Sequence, residues 1–258
     1  MLDRDSSALM RRAWGCALVL LLALPACRAA APLADRDALK HIVQDQCVIH
    51  WQRQRNAWPC TRIYLPQAPH EREGWAVLAD RKGGAHFLLI PTKTTAGLES
   101  EELLEPGTPN YFAAAWAARD LLADAMGRRV ARGGVGLALN PRHARTQDQL
   151  HIHIECLRPD VALRLREAAP RIARSWRLID IERRPFLARR VMGETLGGAN
   201  PIALLAHEIP AAMPDLGDYT LVVAGMNFTA GPGFILLANQ GSAGELLLDS
   251  TCAVAALK

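Results

Sequence analysis

The sequence predicts an α+β fold, an antiparallel sheet with flanking helices. Three observations carry this. Polar and apolar residues alternate through 149–156, as they do in a half-buried strand. Two apolar runs, 75–79 and 86–90, flank Asp80-Arg-Lys-Gly-Gly84, the layout of a hairpin. Segments with helical spacing and cap residues lie around these strands. The chain has 258 residues, 50% hydrophobic and 22% charged, which suits a globular domain.

The N-terminus reads as a leader. Arg11 and Arg12 precede an apolar run, 13–26, and small residues follow. A basic start, an apolar centre and a small-residue exit mark an export signal. The run is short for a membrane span, which needs about 20 apolar residues. Leu24-Pro-Ala-Cys27 also resembles a lipobox. Residues 1–31 are therefore expected to be a signal peptide or N-terminal membrane anchor. A cleaved signal, a lipidated Cys27 and a retained anchor all stay open. Residues 32–258 are expected to form the folded domain.

Export places the remaining cysteines in an oxidising compartment, where an even number invites disulfides. Cys47 and Cys60 are close in sequence and flank a polar, proline-containing loop, so they are expected to pair. That leaves Cys156 with Cys252, a second bridge that would tie the C-terminal tail to the histidine-bearing strand, with buried free thiols as the alternative reading of all four. No cysteine pair has the two-to-four-residue spacing of zinc ligands, which argues against a Cys-and-His zinc site.

The remaining elements follow in order. Leu39, Ile42 and Val43 predict a helix over 35–46. Pro91 stops the second strand of the hairpin. Thr108 and Pro109 open a helix that Gly127 ends. A strand over 135–139 leads into the polar loop 140–148. Asp160 is expected to cap another helix, which Pro170 interrupts. Residues 158–190 hold ten Arg and no Lys. They read as a solvated helical surface with Glu partners, with a contact to anionic lipid heads as the alternative. A second strand pair is expected around Gly231-Pro-Gly233, in a C-terminal extension. The net charge of +4 is mild and no aromatic-plus-basic motif occurs, so no nucleic-acid partner is expected.

The alternating strand carries the chemistry. Leu150, Ile152 and Ile154 share one face; Gln149, His151, His153 and Glu155 share the other. A neutral imidazole is a good nucleophile toward phosphorus near neutral pH. Gln149, Gln147, Asn140 and Arg145 are donors on or just before the strand and can stabilise phosphoryl oxygens. His-x-His on a strand equally suits zinc or copper, with Glu155 as a third ligand. A pair of satisfied surface histidines is the third reading. Spacing alone leaves all three open.

The surroundings narrow the choice. His86-Phe-Leu-Leu-Ile-Pro-Thr92, a helix, a strand, a polar loop and a His-alternating strand follow the order of the histidine-triad superfamily. Thr108-Pro-Asn-Tyr-Phe112, Trp116-Ala-Ala-Arg-Asp120, the whole segment 139–160 and Leu187-Ala-Arg-Arg-Val191 resemble bacterial CDP-diacylglycerol pyrophosphatases. The resemblance implies a histidine-triad-like sheet and hydrolysis of CDP-diacylglycerol to CMP and phosphatidate. It also implies a membrane surface as partner, at the periplasmic face of the inner membrane. Neither a metal nor another cofactor is expected. His151 would be the nucleophile and His153 the third triad member. Gln149 stands where the superfamily has its first His. Asn140, Arg145, Gln147 and Gln149 would position the pyrophosphate, with turn or loop structure as the alternative role for Asn140, Arg145 and Gln147. The competing function is an exported, non-catalytic binder of lipid or metal.

Overall fold

The computed structural model describes residues 35–67 and 73–256; the expected leader lies outside the described residues. The chain enters through three consecutive helical pieces. These are α1 (Ala38–His41), a π-helical stretch (Ile42–Val48) and α2 (Ile49–Gln54). Leu39, Val43 and Cys47 recur every four residues and are buried, which gives the rod its apolar stripe. Arg55 ends it in a left-handed conformation, at φ 54°.

The strands follow in chain order. β1 (Arg62–Tyr64), β2 (Trp75–Ala79) and β3 (Phe87–Pro91) form a meander. Two short helices come next, α3 (Tyr111–Ala117) and α4 (Asp120–Met126). The sequence predicts one helix here, opened by Thr108. Asn110 is the cap instead, its side chain accepting from the Ala113 N–H at 3.1 Å. The break falls at Ala118–Arg119, where the Arg119 guanidinium donates to the Trp116 carbonyl at 2.8 Å. β4 (Val135–Leu139), β5 (Ile152–Leu157) and α5 (Pro159–Ala168) follow. Asp160 lies in the first turn of α5 but makes no capping bond; Arg158 is the cap residue.

The arginine-rich stretch is a hairpin rather than a helical surface beyond α5. β6 (Arg177–Ile181) pairs with β7 (Arg184–Met192). The turn residues Glu182 and Arg183 both have positive φ, 54° and 62°. Such turns usually carry Asn-Gly, so this one leaves no mark in the sequence. Part of the expected Glu pairing is present, as Arg158–Glu182 and Arg189–Glu208. After α6 (Pro201–Glu208) come β8 (Tyr219–Phe228), β9 (Gly231–Gln240) and the short β10 (Leu248–Asp249).

All strand pairs among the described residues are antiparallel, in the order β1-β2-β3-β5-β4-β8-β9-β7-β6, with β10 also against β5. The C-terminal strands are therefore no extension: β8 lies beside β4 in mid-sheet. Their turn falls at Thr229 and Ala230, just before Gly231. Glycine and proline in 231–233 belong to the strand instead.

Register sorts the two faces. Ile152 lies opposite Leu89, and Ile154 opposite Phe87 and Leu137, all in the larger core. His153 lies opposite Leu88 and Ala138. Leu88 packs with Leu39, Val43, Ala76 and Ile90 in a smaller cluster under the N-terminal rod. His153 thus shares its face with the sheet surface that the rod covers. Disulfides join Cys47 to Cys60 and Cys156 to Cys252, the two pairs expected. No helix among the described residues is long and apolar enough to cross a membrane.

Candidate active site

A cavity of about 470 Å³ opens on that face. The rod supplies Leu39 and Ile42 to its wall, and the β2–β3 hairpin supplies Asp80, Arg81 and Lys82. The polar floor is made by Asn140, His151, His153 and Glu245, with Arg145 and Gln147 from the loop before β5. The wall is part apolar and part charged, which suits an amphipathic ligand.

His151 is 8% exposed and lines this cavity. Its Nδ1 lies 2.7 Å from the carbonyl oxygen of Gln149. A carbonyl only accepts, so Nδ1 carries the proton and Nε2 keeps its lone pair. No protein group among the described residues hydrogen-bonds Nε2. Burial pushes the His151 pKa below its ordinary value, which keeps the ring neutral.

His153 stands beside it, ring centroids 5.2 Å apart. Its Nδ1 is 3.0 Å from Nε2 of His86, and its Nε2 is 3.3 Å from the Glu245 carboxylate and 3.4 Å from Asn140 Nδ2. Glu155 lies behind, its Oε1 3.2 Å from His86 Nε2. Asp80 faces the other His86 nitrogen at 3.7 Å. Burial and neighbouring imidazoles hold the His153 pKa well below its usual value. Burial and the nearby carboxylate of Glu245 push Glu155 up to about 8. His86, His153 and Glu155 each place one ligand atom within 4.8 Å of the others, so this trio can hold a metal ion.

A cavity with a neutral, tautomer-fixed histidine beside a second histidine is what a phosphoryl-attacking site needs. Comparison with known proteins identifies the family. The family described as CDP-diacylglycerol pyrophosphatase matches residues 34–256. The CDP-diacylglycerol pyrophosphatase of Yersinia pestis is 37% identical over 232 residues, covering 86% of this chain and 86% of that protein. The chain belongs to the CDP-diacylglycerol pyrophosphatase family.

The donors expected around His151 in this pyrophosphatase-family site divide into two groups. Asn140, Arg145 and Gln147 line the cavity; Gln149 does not. Gln149 is fully buried. Its amide donates to the Pro91 and Lys93 carbonyls at 3.0 and 2.9 Å and accepts from the Thr95 N–H at 3.3 Å. With these bonds made, it builds the 91–95 loop. Arg145 is paired with both oxygens of Glu99, which offsets its charge. Gln147 Oε1 accepts from the Leu39 N–H at 3.0 Å and its Nε2 donates to the Asp35 carbonyl at 2.8 Å. It fastens the rod to the histidine loop at the cavity's edge. Asn140 Oδ1 accepts from the Glu245 N–H at 3.2 Å while Nδ2 faces His153.

Sequence reasoning missed His86 and Glu245 as site residues. His86 keeps the two-residue period of Leu88 and Ile90, so a polar residue in that apolar stripe was a signal. Glu245 left none, because its place depends on β8 and β9 entering mid-sheet.

Proposed function

We propose that this chain hydrolyses the pyrophosphate of CDP-diacylglycerol to CMP and phosphatidate, with His151 as nucleophile. The observation that carries the reading is the 2.7 Å bond from His151 Nδ1 to the Gln149 carbonyl on a cavity-lining ring. It leaves Nε2 as the attacking atom. Nε2 forms a bond to the CMP phosphorus, and the bond to the phosphatidate oxygen breaks with its electron pair. Phosphatidate is a phosphate monoester whose second pKa is about 6, so it departs with little protonation. Nδ1 keeps its proton and donates it to the Gln149 carbonyl in a hydrogen bond, which stabilises the positive charge that the ring acquires. Asn140 and His153 supply donors to the phosphoryl oxygens, and Arg81 and Lys82 supply positive charge at the rim. Water then releases CMP from the histidine.

The expected leader would hold the enzyme at the periplasmic face of the inner membrane, where its substrate's acyl chains lie. Two disulfides suit an oxidising compartment. The test is to quench the reaction with CDP-diacylglycerol and map the modified residue by mass spectrometry. A CMP adduct on His151 is expected; an adduct on another residue removes the assignment.

A second reading rests on the His86, His153 and Glu155 trio, a metal-binding protein without turnover. Stoichiometric metal in the purified protein with no CMP released would favour it.

A further inference from the structure

We infer that Glu245 is the general base for the second half of the reaction, the hydrolysis of CMP-histidine. This rests on the histidine-nucleophile reading above and extends it. The two steps make opposite demands. The first has a good leaving group and needs little acid. The second has water as nucleophile, which needs a base.

The cavity offers two carboxylates, Asp80 and Glu245. Asp80 faces the far nitrogen of His86, behind His153. Glu155 does not line the cavity, and its carboxyl holds its proton to about pH 8. Glu245 is different on each count. Its Oε2 is 3.3 Å from His153 Nε2, its side chain is 34% exposed, and it shares the cavity with His151. It pairs with no Lys or Arg among the described residues. Its charge acts on His151, raising the affinity of that ring for a proton. His153 is the other candidate base, but burial makes it a weak proton acceptor.

The position is also built. The Glu245 N–H donates to Asn140 Oδ1 at 3.2 Å. A Cβ on Gly244 would lie 2.5 Å from Thr220 Oγ1 and 2.8 Å from Val222 Cγ2, so the turn docks tightly on the sheet. The step then balances. A water oxygen bonds to phosphorus, its proton passes to the Glu245 carboxylate, and the P–Nε2 bond returns its electron pair to His151. Free CMP leaves, and the carboxyl proton goes to solvent.

The experiment uses the full chain with CDP-diacylglycerol in detergent micelles. Glu245→Gln keeps the backbone bond to Asn140. It should release one phosphatidate per site in a burst, then turn over about 10²-fold more slowly or worse, with CMP retained on His151. Formate should restore part of the turnover to Glu245→Ala. Steady-state turnover of Glu245→Gln within threefold of wild type overturns the assignment, as does slow turnover with neither burst nor adduct while the wild type shows its adduct. Absence of an adduct from wild type and variant alike overturns the histidine nucleophile itself.

Discussion

His151 and Gln149 are bonded two residues apart, just before β5, the ring Nδ1 of the first 2.7 Å from the backbone oxygen of the second. The tautomer of the histidine is thereby set by the main chain, with no side chain needed. His151→Ala should lower CMP release from CDP-diacylglycerol by at least about 10³-fold, as loss of a covalent nucleophile does. Circular dichroism should be unchanged, since the imidazole makes no other hydrogen bond among the described residues. A variant that keeps most of its turnover would remove His151 from the chemistry.

The Gln149 side chain has a different task, so its loss should read as instability before inactivity. Gln149→Leu leaves two carbonyls and one N–H of the 91–95 loop without their partner. A loss of about 3 kcal/mol is expected in denaturant unfolding. A stable variant with a raised KM alone would instead assign Gln149 to the substrate.

Glu155 should impose a pH dependence on stability. Its folded pKa, about 8, lies above its unfolded value. The folded state therefore binds more protons across that interval, and stability falls as pH rises from about 4.5 to about 8. Glu155→Gln should remove this fall and raise Tm by several degrees at pH 9, with little effect at pH 4. Parallel Tm–pH curves for the two proteins would contradict it.

The metal question has a direct answer. His86 and His153 spend the nitrogens that face each other on a mutual 3.0 Å contact. Turnover is accordingly expected to survive prolonged treatment with a chelator. Loss of activity that zinc restores would transfer His153 to a metal site.

The Cys156–Cys252 bridge holds β10 against β5, and Glu245 lies a few residues before β10. Cys252→Ser should lower stability by about 2–4 kcal/mol. It should also cut kcat more than it raises KM, because Glu245 loses its mooring. Equal activity with and without a reductant would separate the bridge from the site.

What the sequence made legible was local. The alternation in 149–156 displayed His151 and His153, and the β4 strand and both disulfide pairs could be read without coordinates. Pairings between distant strands could not. Nothing near Glu245 announces that β8 joins β4, and no glycine marks the turn at Glu182 and Arg183. Alternation puts Gln149 on the face of the two histidines, but it does not show that the loop after β3 folds back and takes up the Gln149 amide.

The cavity takes part of its wall from Leu39 and part of its floor from Glu245, near opposite ends of the described chain. It comes into being only when those distant segments meet, late in assembly for a topology so rich in non-local pairing. Recovered turnover after refolding would therefore count completed molecules, and a half-built intermediate would be silent.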